Sequence, residues 1–162
     1  MMKDAKYFID KIGMLPHPEG GFYKETYRST NEIANAEGNL RSISTPINFL
    51  LENNNKSHFH KIKSDELWFH HEGETLEILS IQNGELIRIF LGNNLENGEV
   101  LHTTIPANIW FASRMKNYQG FGLVSCTVAP GFDFADFEMS KKNELANEFP
   151  HLKDIIEEMT LE

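Results

Sequence analysis

Short apolar runs, separated by turn residues, recur through the middle of the chain and read as β-strands. The dipeptide Asn83-Gly84 lies between two of these runs and predicts a two-residue hairpin. Many short antiparallel strands with such turns indicate an all-β sandwich or barrel. The predicted strands are 42–51, 57–62, 66–71, 76–82, 85–91, 100–105, 109–112 and 120–128, and the alternation over residues 22–28 also suits a strand.

Short helices are predicted on both sides of this β region. Apolar residues at helical spacing mark residues 3–12, with Gly13 as the stop signal. Near the other end, Ser140 is a candidate N-cap, and Pro150 suits the first turn of a second helical piece. The C-terminal apolar positions are Leu145, Ala146, Phe149, Leu152, Ile155, Ile156 and Met159.

Length and composition fit one domain over residues 1–162 that is large enough to bury a core. A net charge of −9 argues against a nucleic-acid partner, because that affinity comes mostly from Lys and Arg. The chain has no run of about 18 apolar residues, so no membrane-spanning helix is predicted. The N-terminus lacks a signal-peptide pattern, and a cytoplasmic location is therefore expected. Cys126 is the single cysteine and is predicted to be a buried, inert thiol.

The consecutive apolar residues Leu67, Trp68 and Phe69 predict a strand that is covered on both faces. A barrel wall facing solvent would not tolerate this run, so a second sheet or a second subunit should cover it. Together with the apolar helix stripes, this pattern predicts a homodimer.

The segment around His58 and His60 carries the strongest candidate chemistry. The two histidines are two residues apart, so in a regular strand they share a face. If residues 57–61 and 65–71 form a hairpin with an odd-length loop, Glu66 and His70 join that face. Such a set can hold a first-row transition metal, perform acid/base chemistry, or make only structural hydrogen bonds.

Other side chains are candidates for binding a ligand. Arg28 and Arg41 offer two-pronged donors for a carboxylate or a phosphate. Trp110 is expected in the pocket wall and Trp68 in the core. Glu19 and Tyr23 complete the ligand-binding set, on or just after a turn whose glycines permit either close ligand approach or a tight corner.

Four motifs give the chain a family resemblance. The pattern His58-x-His60-x5-Glu66-x6-Gly73 resembles the first motif of the cupin superfamily. The fuller set resembles a family of small single-domain cupins of unassigned function. Its motifs are PHPEGGFYKETYR at residues 16–28, the segment 57–73, IPANIW at 105–110 and VSCTVAPGFDFADF at 124–137. The resemblance implies a double-stranded β-helix (jelly-roll) barrel, usually a homodimer, with its ligand pocket inside the barrel.

One position departs from the general cupin pattern. Phe111 stands where the second cupin motif ends in a metal-binding histidine, and it cannot coordinate a metal. A divalent transition metal would therefore rest on His58, His60 and Glu66, with His70 or water completing the set. If this register is right, the Phe111 ring points into the barrel.

Three functions stay open. The first is an epimerase or isomerase acting on a sugar, a sugar nucleotide or a similar polar metabolite, as the barrel of the deoxysugar epimerases suggests by analogy. In it, His60 or His70 would be the base and Glu66 would orient the base or act as the acid. The second is a metal-dependent dioxygenase or lyase. The third is a non-catalytic protein that binds a small metabolite through the same residues.

Overall fold

A computed structural model describes residues 3–161 and contains thirteen strands and three α-helices. The strands are β1 (Leu15–Pro16), β2 (Phe22–Glu25), β3 (Glu32–Ala34), β4 (Leu40–Ser42), β5 (Thr45–Glu52), β6 (Lys56–Lys61), β7 (Asp65–Gly73), β8 (Leu76–Gln82), β9 (Glu85–Leu91), β10 (His102–Ile105), β11 (Trp110–Met115), β12 (Phe121–Ala129) and β13 (Glu138–Met139). The helices are α1 (Ala5–Ile12), α2 (Lys142–Glu148) and α3 (Lys153–Glu158), with short 3₁₀ turns at Leu95–Asn97, Phe134–Asp136 and Pro150–Leu152.

The strands form two antiparallel sheets that face each other. One sheet has the order β1-β2-β5-β12-β7-β10 and the other has the order β13-β6-β11-β8-β9, while β3 and β4 form a separate hairpin. The all-β prediction, with short helices at both ends, is confirmed. No helix within residues 3–161 has both the length and the apolar character needed to cross a bilayer.

The predicted hairpin at Asn83-Gly84 is confirmed with its strand bounds. Gln82 pairs with Glu85, and both turn residues have positive φ, at 52° and 81°. That conformation matches the right-handed twist of the two flanking strands, and asparagine and glycine tolerate it best. This local signal fixes the register of β8 and β9.

Helix boundaries follow local capping. Asp4 caps α1 by accepting a hydrogen bond from the Tyr7 N–H at 2.8 Å, and Gly13 ends the helix with φ of 72°. The prediction of Ser140 as the cap of α2 is wrong, since the N-cap position belongs to Lys141. The Ser140 hydroxyl instead lies 3.2 Å from the Thr160 hydroxyl, joining the two ends of the C-terminal segment.

Three apolar clusters hold the layers together. Between the sheets lies a cluster that includes Phe49, Trp68, Phe111 and Met115, and we call this part of the interior the floor. Helix α1 covers one outer face, and α2 and α3 cover the outer face of the five-stranded sheet. Phe111 is 1% exposed in the floor, so the prediction that it points inward is confirmed.

Strands β6 and β7 do not form the predicted hairpin. A loop of three residues joins them, but β6 belongs to the five-stranded sheet and β7 to the six-stranded sheet. The two strands therefore face each other across the barrel. Glu66 still points inward, while Asp65 is exposed and accepts a hydrogen bond from the Ala107 N–H.

Candidate functional site

A small cavity with both polar and apolar walls lies at one end of the barrel interior, beside the floor. Its volume is about 30 Å³, enough for about two water molecules. We call this region the mouth. Its lining residues are His17, Glu19, Thr45, Ile47, His60, Ile62, Glu66, Val128, Phe132 and Phe137.

Glu19 reaches the mouth from the turn between β1 and β2. Gly20 makes this possible, because it has φ of 109° and a Cβ there would lie 1.8 Å from the Lys56 carbonyl oxygen. The Glu19 carbonyl accepts hydrogen bonds from the His58 backbone N–H and from His58 Nδ1, at 2.7 and 2.8 Å. Gly20 therefore serves close packing against β6, and Gly21 packs against β5.

The Glu19 carboxylate is the centre of a buried hydrogen-bond network. His60 Nε2 lies 3.0 Å from Glu19 Oε2, and the Ser57 hydroxyl donates to Glu19 Oε1 at 2.9 Å. Burial raises the pKa of Glu19, but His60 outweighs this effect, and the net pKa lies below the ordinary value. Glu19 is accordingly a carboxylate at neutral pH.

His60 donates from both ring nitrogens. Its Nδ1 lies 2.7 Å from the His58 carbonyl oxygen, which can only accept, and its Nε2 faces the Glu19 carboxylate. Burial lowers the pKa of His60, but Glu19 more than reverses this, so the net pKa is raised. His60 is therefore an imidazolium held in an ion pair, with no ring nitrogen free to act as a base.

His17 has the opposite protonation preference. The Glu19 backbone N–H donates to His17 Nδ1 at 3.2 Å, which places the ring proton on Nε2. Burial lowers the pKa of His17, with Glu19 opposing, and the net pKa lies below the ordinary value. The ring packs edge-on against Tyr23, with centroids 4.6 Å apart. A neutral N–H donor thus lines the mouth.

Glu66 is the group in the mouth whose proton is poised near neutrality. Its residue is 8% exposed, and burial, followed by the charge of Glu19, raises its pKa to about 7. His60, Cys126 and Trp68 oppose that rise, although the Trp68 indole N–H reaches no acceptor at hydrogen-bond distance among residues 3–161. At pH 7 the carboxyl is about half protonated.

Comparison with known proteins assigns the chain to a family. The family described as "Cupin superfamily (DUF985)" matches residues 6–140. The chain belongs to this cupin family. It is 31% identical to the uncharacterized protein YML079W of Saccharomyces cerevisiae (strain ATCC 204508 / S288c), over 89% of this chain and 77% of that one.

Solved structures share the fold of this chain. A hypothetical protein from Leishmania major has a TM-score of 0.92 and 35% identity, covering 99% of this chain and 100% of that one. Protein SO0799 from Shewanella oneidensis has a TM-score of 0.91 and 35% identity, covering 99% of both chains. An oxalate decarboxylase from Bacillus subtilis shares the fold alone, with 12% identity and a TM-score of 0.55 over 89% of this chain and 36% of that one.

The cupin barrel does not bring the four predicted polar residues together. His60 and Glu66 line the mouth, but His58 and His70 do not. Ser57 pairs with Ser113 and His60 with Phe111, so β6 carries one extra residue as a bulge. This bulge breaks the alternation and turns His58 toward the Glu19 carbonyl. His70 Nε2 lies 3.3 Å from the Glu74 carbonyl oxygen, beyond the site.

Of the other predicted ligand-binding side chains, Glu19 lines the cavity, whereas Trp110, Arg28, Arg41 and Tyr23 do not. Trp110 is on the outer face, where the Lys61 ammonium lies 4.3 Å from its ring centroid. Arg28 pairs with Glu25, and Arg41 makes two hydrogen bonds to Asp136, at 2.7 and 2.8 Å. Tyr23 lies behind His17. Both arginines are thus committed to carboxylates of this chain.

The predicted metal ligands do not fit a metal in this geometry. Both nitrogens of His60 donate hydrogen bonds, His58 Nδ1 donates to the Glu19 carbonyl, and Phe111 fills the position of the fourth ligand. The ring centroids of His60 and Phe111 lie 4.2 Å apart. Within residues 3–161, no group of three or more His, Cys, Asp or Glu side chains has metal-holding geometry.

Four residues of the site were not predicted from the sequence to be functional: His17, Ser57, Phe132 and Phe137. His17 precedes Glu19 by two residues in the motif PHPEGG, which was its available signal. Phe132 and Phe137 lie in the part of the motif VSCTVAPGFDFADF that follows β12. Cys126 is 1% exposed, and burial raises the pKa of its thiol, so the prediction of a buried thiol is confirmed.

Proposed function

We propose that this cupin binds a small polar molecule in the mouth and that Glu66 moves a proton on it, as in an isomerase. The observation that carries the proposal is a buried carboxyl in the cavity wall with a pKa of about 7. General acid/base groups work best when their pKa lies near the operating pH. Of the three open functions, the isomerase class makes most use of this group.

The roles in this proposal differ from those expected from the sequence. Glu66, on β7, takes or gives the proton. His60, on β6, is a fixed positive charge that stabilises developing negative charge, because Glu19 and the His58 carbonyl hold both its nitrogens. In this proposal the Nε2–H of His17 donates to a ligand oxygen.

The cavity size favours small substrates. A volume of about 30 Å³ is far below the roughly 300–1,000 Å³ of pockets for drug-sized ligands. A sugar nucleotide would need the loop at residues 130–137 to move away. A non-catalytic binding function keeps the same ligand size and differs only in having no turnover.

Proton transfer is tested by hydrogen–deuterium exchange at carbon. Hydroxyacetone, pyruvate and aminoacetone are incubated in D₂O with the parent, with Glu66→Gln and with Glu72→Gln, and loss of the proton signal is followed by NMR. Glu72 is an exposed glutamate of the same strand, so its variant matches the charge change. We expect the parent and Glu72→Gln to exchange at least one probe about 100-fold faster than Glu66→Gln. Equal rates in the parent and Glu66→Gln for all three probes would contradict catalysis by Glu66.

We further propose that the chain forms a homodimer. Leu67 and Phe69 lie on the outer face of β7 and stay partly exposed, and Phe69 stacks on His102 with centroids 5.7 Å apart. A second copy covering this face would bury these apolar groups. Sedimentation at micromolar concentration should give twice the 18.6 kDa chain mass, and the mass of one chain would refute the dimer.

A further inference from the structure

The mouth carries two carboxyl groups and two imidazole rings, and one carboxyl is not matched by an ion pair. Glu19 and Glu66 line it, while no lysine or arginine is among the lining residues that the structure describes. His60 already neutralises Glu19 through the 3.0 Å ion pair. Glu66 is buried and makes no ion pair within 4.0 Å among residues 3–161, and the charge of His60 lowers its pKa by less than burial and Glu19 raise it. A buried carboxylate without a cationic partner is costly, so a positively charged ligand would be stabilised beside it.

The two arginines predicted to bind an anion instead hold groups of this chain. Arg28 donates to Glu25 and to the Phe132 carbonyl, at 3.1 Å for the latter, and Arg41 holds Asp136. Both contacts fasten the loop at residues 130–137. Because the two guanidinium groups are already paired with carboxylates, a phosphate or carboxylate ligand in the mouth would have no free arginine to meet it.

The same loop supplies an aromatic wall. Phe132 and Phe137 line the cavity, with their ring centroids 6.0 Å apart, and Phe137 also lies 5.4 Å from the ring centroid of His60. Aromatic faces attract organic cations through the negative charge of the ring face. Aromatic rings next to an unpaired carboxylate are a suitable environment for an alkylammonium group, and the net charge of −9 attracts cations to the molecule.

We propose that the ligand of the mouth is a small organic cation, a primary ammonium compound of a few heavy atoms, with the ammonium beside Glu66 and the alkyl part against Phe132 and Phe137. This inference rests on the proposed function, because it names the ligand class of the same cavity. It replaces the phosphate or carboxylate ligand that Arg28 and Arg41 suggested.

Three probes of matched size separate the charge classes: 2-aminoethanol, ethane-1,2-diol and glycolate. Binding is measured at about pH 8 and constant ionic strength by amide chemical-shift titration of the ¹⁵N-labelled protein. We expect 2-aminoethanol to bind about ten-fold more tightly than either of the other probes. The preference should be lost in Glu66→Gln and kept in Glu72→Gln. Phe137→Leu should weaken 2-aminoethanol about three-fold and leave the diol unchanged.

The outcomes distinguish this inference from the proposed function. If the diol or glycolate binds as tightly as 2-aminoethanol, the cationic class is refuted, while Glu66-dependent exchange at carbon would still support proton transfer. If no probe binds the parent at tens of millimolar, the cationic class is also refuted. If 2-aminoethanol binds Glu66→Gln as tightly as the parent, the ammonium lies elsewhere and the inference fails.

Discussion

The floor and the mouth of this barrel are built by the same strands but serve different purposes. On β7, Glu66 and Trp68 are neighbours on the inner face, and one lines the cavity while the other packs in the apolar cluster. In the five-stranded sheet, His60 of β6 lines the cavity, whereas its cross-strand partner Phe111 of β11 packs in the apolar cluster. A residue of the floor and a residue of the mouth can therefore be two positions apart on one strand or paired across two strands.

The comparison of the floor with the mouth shows how the fold accommodates the buried polar side chains of the mouth. The floor is apolar and needs only close packing, whereas the mouth carries an ion pair and a carboxyl whose burial raises its pKa. The floor also supports the mouth directly, because Phe111 packs against the ring of His60. We therefore expect floor variants to change stability most, and mouth variants to change pH dependence and binding.

Removing the Phe111 ring should have the largest effect. Phe111→Ala leaves a cavity in the floor, and truncations of this kind cost about 3–5 kcal/mol of unfolding free energy. Urea unfolding followed by fluorescence measures the loss. A loss below about 1 kcal/mol would mean that the floor collapses around the gap, and the contrast between the two regions would weaken.

Breaking the ion pair of the mouth should cost nearly as much, but only in a defined pH window. Glu19→Gln removes the carboxylate partner of the buried His60, which we expect to cost about 3 kcal/mol. Folding lowers the pKa of Glu19, so the stability that its ionised form contributes is fully present above pH 4.5. Folding raises the pKa of His60, so the stability that its protonated form contributes is fully present below pH 6.5.

The stability difference between the parent and Glu19→Gln is thus largest between pH 4.5 and 6.5. It narrows as pH falls through the lowered pKa of Glu19, and as pH rises through the raised pKa of His60. Unfolding free energies at about pH 3, 5.5 and 9 check this dependence. A difference that is constant across the three values would contradict the ion pair.

Glu66→Gln should stabilise the protein at alkaline pH. A carboxyl whose pKa is raised from 4.5 to about 7 loses stability as pH rises through that interval, because the unfolded chain ionises first. The full shift corresponds to about 3 kcal/mol as an upper bound. We expect a gain of about 2 kcal/mol at pH 8 and little change at pH 4, measured by thermal or urea unfolding. A loss of stability at pH 8 would show that Glu66 is stabilised as an anion.

His70→Ala should have the smallest effect. The side chain belongs to neither region and makes a 3.3 Å contact with the Glu74 carbonyl. A change within about 0.5 kcal/mol is expected for such a position, with no change in ligand binding. If His70→Ala abolishes binding or exchange at carbon, the catalytic role predicted from the sequence is right, and the functional site includes His70 in addition to the residues that line the mouth.

Local signals in the sequence carried much of the fold. The Asn83-Gly84 turn gave the bounds of β8 and β9, because a two-residue hairpin is determined by its own residues. The loop between β6 and β7 had no comparable signal. A three-residue connection can join paired strands or cross between sheets, and only the packing of the whole barrel decides which.

The site was predictable only where strand alternation is regular. Glu66 was placed inside correctly, whereas His58 was misplaced, since the β6 bulge depends on its pairing with β11. His17 precedes the turn in which Gly20 packs against the backbone of β6, a contact between distant segments that the sequence does not show. The pairing of the arginines with Glu25 and Asp136 likewise follows from the folded loop.

The most direct test of the account is the titration of Glu66 itself. Proteins carrying ¹³C-labelled glutamate are titrated from about pH 3 to 10, and the Glu66 carboxyl signal is assigned by its absence in Glu66→Gln. We expect a midpoint near the pKa of about 7 that burial and the charge of Glu19 impose. A midpoint near the ordinary glutamate value of 4.5 would contradict it, because Glu66 would then be a plain carboxylate across the neutral range.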